Sequence, residues 1–153
     1  MDIDNNISLK KFSFFIEVLN LSYEDFDFKY FYCHTPINDF YCYISFCKRF
    51  ISPRHFKCLV SHGGDRKKDL LEIRNMVNSK LESVESVENG FLDKLWRDID
   101  HFVPLQNCEI YSYNPPREED NLIVENKLWD LNLFFFQKRH ILFLSCVATV
   151  YRP

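Results

Sequence analysis

Cysteine and histidine are the residues here most suited to chemistry. Cys33, Cys42, Cys47, Cys58, His34, His55 and His62 lie close together in the first half of the chain. A structural zinc site takes its ligands in closely spaced pairs. None of these residues makes a Cys-x-x-Cys pair, and the cysteine gaps of nine, five and eleven positions match no usual zinc spacing. No metal site and no cofactor are expected. Cys108 and Cys146 fall inside strand patterns, where small buried thiols are common, so neither reads as a nucleophile. Gly63-Gly64 is a turn, because no Lys-Ser/Thr follows to complete a phosphate loop. Glu118, Glu119 and Asp120 sit in a proline loop and read as a solvated tip. Asp100 and His101 are neighbours on a helix and cannot face one another. There is no Gly-x-Ser-x-Gly, His-Glu-x-x-His or dinucleotide fingerprint. No catalytic residue is assigned, and the chain does not read as an enzyme.

Recognition is the remaining chemistry. Tyr111 and Tyr113 share a strand face, where an exposed tyrosine pair would make a recognition platform and a covering helix would make it core. Asp25 and Asp27, in the acidic and aromatic run from Leu21 to Phe28, read as a loop pinned by its aromatics or as a partner-binding surface. Lys138 and Arg139 form the best local basic feature. These six residues are the candidate partner interface.

The elements that position them can be read from hydrophobic period. Cys108–Tyr113 alternates, with Cys108, Ile110 and Ser112 on one face. Leu128–Phe136 alternates too, placing Trp129, Leu131, Leu133 and Phe135 together. Ile141–Val150 is apolar on both faces, which a strand tolerates when both are covered. Gln137-Lys138-Arg139-His140 is short enough for a hairpin, though it lacks the Gly or Asn such turns prefer. Leu9 to about Asn20 reads as a helix with Ser8 as N-cap. Leu70, Ile73, Val77, Leu81 and Val84 form one helical stripe, capped by Asp65 or Asp69. Leu92, Leu95, Trp96, Ile99 and Phe102 mark a second helix, ended by Pro104. The expected fold is therefore α+β, an antiparallel sheet of the C-terminal three strands packed against amphipathic helices. The expected core comprises Leu95, Trp96, Ile99, Cys108, Ile110, Trp129, Phe135 and Phe143.

Composition bounds the function. The chain has 153 residues, 46% of them hydrophobic and 17% aromatic, which suits a single globular domain and not a disordered one. The net charge of -3 supplies no global basic field for nonspecific nucleic-acid binding. No segment approaches the roughly 20 apolar residues of a membrane helix, so no membrane partner is expected. Six cysteines and a start lacking signal-peptide character imply reduced thiols in a cytosolic or nuclear protein.

Several blocks resemble the conserved regions of the Maf family of RNA polymerase III repressors. They are Leu95-Trp96-Arg97-Asp98-Ile99-Asp100, then Cys108 to Pro115. Next come Leu128-Trp129 with Asn132, Phe134-Phe135 and Lys138-Arg139, and finally Leu142 to Cys146. Upstream, Lys11-Phe12 through Ile16, Leu19-Asn20, Ser22-Tyr23 and Asp25 to Phe28 are similar to the block opening that family's second conserved region. The likeness covers roughly residues 9 to 35 and 70 to 147; residues 36–64 read as a family-atypical insert. The family's N-terminal block and acidic tail have no counterpart in the sequence.

The resemblance implies a repressor without catalytic activity. It would bind RNA polymerase III near its clamp and block recruitment to promoter-bound initiation factor. It would shuttle between nucleus and cytoplasm under regulatory protein kinases and phosphatases. Direct nucleic-acid binding is not expected; a small nucleic-acid-binding module using Tyr111, Tyr113 and the Lys138-Arg139 tip is the competing reading.

Overall fold

A strand that is apolar on both faces belongs in the interior of a sheet, and Ile141–Val150 takes that place. The computed structural model describes residues 16, 17, 19–54, 57, 64–113 and 127–150, with backbone alone for 64–68. Among the described residues, six strands run in the order β1-β2-β6-β5-β4-β3. They are β1 (Phe26–His34), β2 (Asn38–Cys47), β3 (Gly64–Lys68), β4 (Glu109–Tyr113), β5 (Lys127–Gln137) and β6 (His140–Val150). Every neighbouring pair is antiparallel. Three helices, α1 (Leu70–Lys80), α2 (Glu82–Val87) and α3 (Phe91–Phe102), fall between β3 and β4.

The period-2 rule sorts the core into two layers. Leu142, Leu144, Cys146 and Ala148 of β6 join Leu131, Leu133 and Phe135 of β5, Ile110 of β4, and Phe40, Cys42 and Ile44 of β2. The helices cover that face with Ile73, Val77, Leu81, Val84, Leu95, Trp96 and Ile99. Alternate residues Ile141, Phe143, Phe134, Tyr113, Tyr43 and Phe26 point the other way, where Ile16, Leu19 and Ile51 meet them. The sheet is therefore covered on both sides, as an apolar strand requires.

Three expectations are corrected. The sheet is not confined to the C-terminal third. Phe26–His34, of which the start reads as a loop, is an edge strand, and Asn38–Cys47 pairs with β1 on one side and β6 on the other. Alternation of Phe26, Phe28 and Tyr30 with Asp27 and Lys29 is a strand signal that an acidic composition obscures. Asn38–Cys47, inside the range 36–64, supplies an interior strand. The single helical stripe over Leu70–Val84 is broken at Leu81, whose φ of -99° and ψ of 14° end α1 before α2 begins. The thiols are not all free: Cys42 and Cys146 form a disulfide between β2 and β6. Cys33, Cys47 and Cys108 are free.

The helix ends follow local chemistry. Asp69 caps α1 by accepting a hydrogen bond from the Glu72 amide. Asn20, at φ 56°, closes the preceding helical turn with Asn20 N–H donating to Glu17 O and Leu21 N–H to Ile16 O. Val103 ends α3 just before Pro104. Leu9, Phe12, Phe15 and the Ser8 cap lie outside the described residues, as do the 114–120 loop, Cys58, His55 and His62. Asp65, the other capping option, is described in backbone alone.

Candidate interaction surface

Strand direction decides which candidate residues meet. β1 begins where β2 ends, with Phe26 opposite Cys47. β5 ends where β6 begins, with Gln137 opposite His140. Because β2 pairs with β6 antiparallel, Phe46 lies opposite Leu142, so the open end of the β1–β2 hairpin and the closed tip of β5–β6 share one end of the sheet. The segment after β2 crosses to that tip, where Ile51 N–H donates to Arg139 O at 2.7 Å. Asp25, Asp27, Lys138 and Arg139 are thereby gathered, although more than 110 positions separate the two pairs in sequence.

The charges there are partly matched. Arg49 Nε lies 3.6 Å from Asp25 Oδ1, and Lys48 Nζ lies 3.6 Å from Asp27 Oδ1. Asp25 also has a structural duty. Its Oδ2 accepts from Ser22 N–H at 2.9 Å, capping the 3-10 turn Tyr23–Asp25. Asp27, at 58% side-chain exposure, is the more available acid. Lys138 and Arg139 are both exposed. Exposed pairs of this kind contribute little stability, about 0–1 kcal/mol, so these charges are more informative about partners than about the fold.

Aromatic rings form the floor. His140 stacks on Phe46 with centroids 5.9 Å apart, and Phe46 stacks on Phe102 of α3 at 4.9 Å. Phe50 meets His140 edge-on at 5.1 Å and is itself 70% exposed. Lys48, Arg49 and Phe50 are absent from the candidate interface read from sequence. Their signal was the basic cluster at the end of β2, whose neighbours only the strand pairing reveals.

The tyrosine pair divides. Tyr113 is fully buried, its ring edge-on to Phe134 and Phe143, so it offers no face to a partner. Tyr111 is half-buried and stacks on Phe134 at 5.1 Å. A base-stacking platform on this strand is therefore not formed. Exposed tyrosines occur instead at Tyr30 and Tyr32 of the edge strand.

The residues expected in the core differ in burial. Leu95, Trp96, Ile99, Ile110, Phe135 and Phe143 are buried, with Phe143 on the face opposite the helices. Trp129 is only half-buried, with the Lys80 ammonium 5.0 Å from its ring centroid. Cys108 precedes β4 and is also half-buried; burial pushes its thiol up to about 12, so the nucleophilic thiolate is scarce at neutral pH. Among the described residues, no group of three or more His, Cys, Asp or Glu side chains is placed to hold a metal. No helix among them is long and apolar enough to cross a membrane.

Comparison with known proteins bears on this arrangement. The Maf1 regulator family model matches residues 50–145. The chain is 25% identical over 145 residues to the repressor of RNA polymerase III transcription maf1 of Schizosaccharomyces pombe, covering 94% of this chain and 49% of that protein. It is 28% identical over 148 residues to the repressor of RNA polymerase III transcription of Dictyostelium discoideum, covering 94% and 42%. The chain thus spans about half the length of these curated relatives. A crystal structure of citrus MAF1 superposes with a TM-score of 0.63 at 14% identity, covering 78% of this chain and 93% of that one, a likeness of fold.

Proposed function

The chain belongs to the Maf1 regulator family, and from that premise we propose that it represses RNA polymerase III transcription by binding the polymerase, without catalysing a reaction. The observation that carries this reading is the match to two relatives named as repressors of that polymerase, each spanning 94% of the chain. In this reading the protein contacts the clamp region and blocks recruitment to promoter-bound initiation factor. It is a nuclear protein that shuttles with the cytoplasm, set by regulatory kinases and phosphatases.

The sheet end bearing Asp27, Lys48, Arg49, Lys138 and Arg139 is the surface we assign to the contact. Mixed charge over an aromatic floor suits a protein partner, since charge arrangement sets register and encounter rate while the rings supply contact area. A phosphate-tracking surface would carry one sign of charge. The acids here argue against that alternative.

The test is capture of RNA polymerase III from nuclear extract by the tagged 153-residue chain, together with transcription of a transfer-RNA gene in vitro. Capture and repression by the wild type, both reduced at least severalfold by Lys138→Glu with Arg139→Glu, are the expected results. A folded wild-type protein that neither captures the enzyme nor lowers transcription would sink the reading. Loss-free behaviour of the double variant would move the contact elsewhere on the molecule.

A further inference from the structure

Sheet order makes the β1–β2 hairpin a separable unit. β1 is at one edge of the sheet and pairs with β2, so β2–β6 is the seam that joins the hairpin to the other four strands. Cys42 and Cys146 face one another across that seam, and their Cα atoms are 4.2 Å apart. The hairpin's other attachments are noncovalent. They include the β2–β6 ladder, the Lys29–Asp98 ion pair at 2.7 Å, the edge-on contact of Phe31 with Phe91, and the packing of Phe40, Tyr43 and Phe46 against Trp129, Phe143 and Phe102.

We propose that the Cys42–Cys146 bond is a reversible redox lock that fixes the β1–β2 hairpin onto the rest of the sheet and is opened by a low-molecular-weight thiol. Both cysteines are buried, at 4% and 1% exposure, so the bond is not open to casual exchange. Cys42 nevertheless lines an apolar cavity with Phe31, Tyr32, Phe40, Leu81 and Phe91. Because β1 lies at a sheet edge and the cavity falls between Phe31 of the hairpin and Phe91 of α3, local opening of the hairpin is the route by which a thiolate reaches the Cys42 sulfur. A thiolate attacks Cys42 Sγ, the S–S bond breaks, and Cys146 leaves as a thiolate that takes up a proton. A second thiol then resolves the mixed disulfide, leaving two protein thiols and one oxidised small-molecule disulfide. Oxidation runs the same steps backward with a low-molecular-weight disulfide as oxidant.

Cys33 shares the cavity and could scramble the pairing. Burial, with the Glu88 carboxylate beside it, holds Cys33 in the thiol form, which is a poor attacking group. The lock also spans the interaction surface. Asp27 rides on the hairpin and Lys138 and Arg139 on β5–β6, so the covalent seam fixes one set of charges relative to the other. The redox chemistry stands independently of which partner binds there.

The full chain would be equilibrated with a small thiol or with its disulfide, and hydrogen exchange followed by mass spectrometry in both states. Peptides from acid-quenched, alkylated samples report the pairing. In the oxidised protein, Cys42 and Cys146 should be recovered linked. On reduction, amides of Phe26–Cys47 should exchange about tenfold faster or more, while those of Glu109–Tyr113 change far less. The Cys42→Ala, Cys146→Ala variant should be insensitive to the thiol. If that variant does not fold, the two redox states of the wild type still decide the matter. Alkylation of both cysteines in oxidised, folded protein would overturn the proposal, and so would equal hairpin exchange in the two states.

Discussion

The Trp96 indole Nε1–H donates to Asn78 Oδ1 at 2.8 Å, joining α3 to α1 above the sheet. The same ring meets Phe135 of β5 edge-on and lies beneath the Arg74 guanidinium, 5.1 Å from its centroid. One side chain thus holds two helices and the central sheet in register.

Trp96→Ala should cost about 3–5 kcal/mol, the range for removing a large buried aromatic. Trp96→Phe keeps much of the ring but drops the donor, and about 1–2 kcal/mol of loss is expected. Trp129→Ala, at a half-buried position, should cost roughly 1–2 kcal/mol. Chemical denaturation of the three variants checks the order. A near-wild-type midpoint for Trp96→Ala would contradict the packing described.

Acid should loosen α3 through Glu85. Its carboxylate accepts from Leu92 N–H and Gly90 N–H, each at 2.8 Å, and these bonds hold its pKa below the ordinary glutamate value. A depressed folded-state pKa contributes stability that is present above the unfolded value and lost as pH falls through the folded one. Glu85→Gln should therefore flatten the loss of stability below about pH 4.5. Thermal melts across pH 3 to 7, roughly spanning carboxylate titration, would show identical slopes if the cap contributes nothing.

Lys138 sits at φ 51° in the β5–β6 turn, where a side chain is mildly strained. Lys138→Asn should leave stability within about 1 kcal/mol of wild type, in the stabilising direction. Lys138→Val should cost about 1–2 kcal/mol, because a branched Cβ crowds that conformation most. A stabilised valine variant in urea titration would mean the turn is built otherwise.

Ser145 Oγ donates to Asn132 Oδ1 at 2.9 Å between β6 and β5, in a row that continues through Tyr43 to Tyr30. Both residues are buried. Ser145→Ala removes that donor and should cost about 1–3 kcal/mol. Desolvation raises the Tyr43 hydroxyl's pKa, so this row carries no charge near neutrality. Its contribution should accordingly be flat from pH 6 to 8, roughly the range below any tyrosine titration; a step there would point to another group.

The alternation of Leu131, Leu133 and Phe135, the two-faced apolar run Ile141–Val150 and the stripe through Leu95, Trp96 and Ile99 determined by themselves an antiparallel sheet covered by helices. Period is a local property, and burial of one face follows from it. The ordered blocks from Leu95 to Cys146 likewise pointed to the family. What tertiary structure decided was pairing. Strand order makes Phe40–Cys47 interior and Phe26–His34 an edge, brings Cys42 against Cys146, and buries Tyr113 while leaving Lys138 exposed. It also carries Asp27 and Lys48 to the same end as Arg139. Such neighbours are set by which strands exchange backbone hydrogen bonds, and a contact between residues about a hundred positions apart leaves no periodic trace in one sequence.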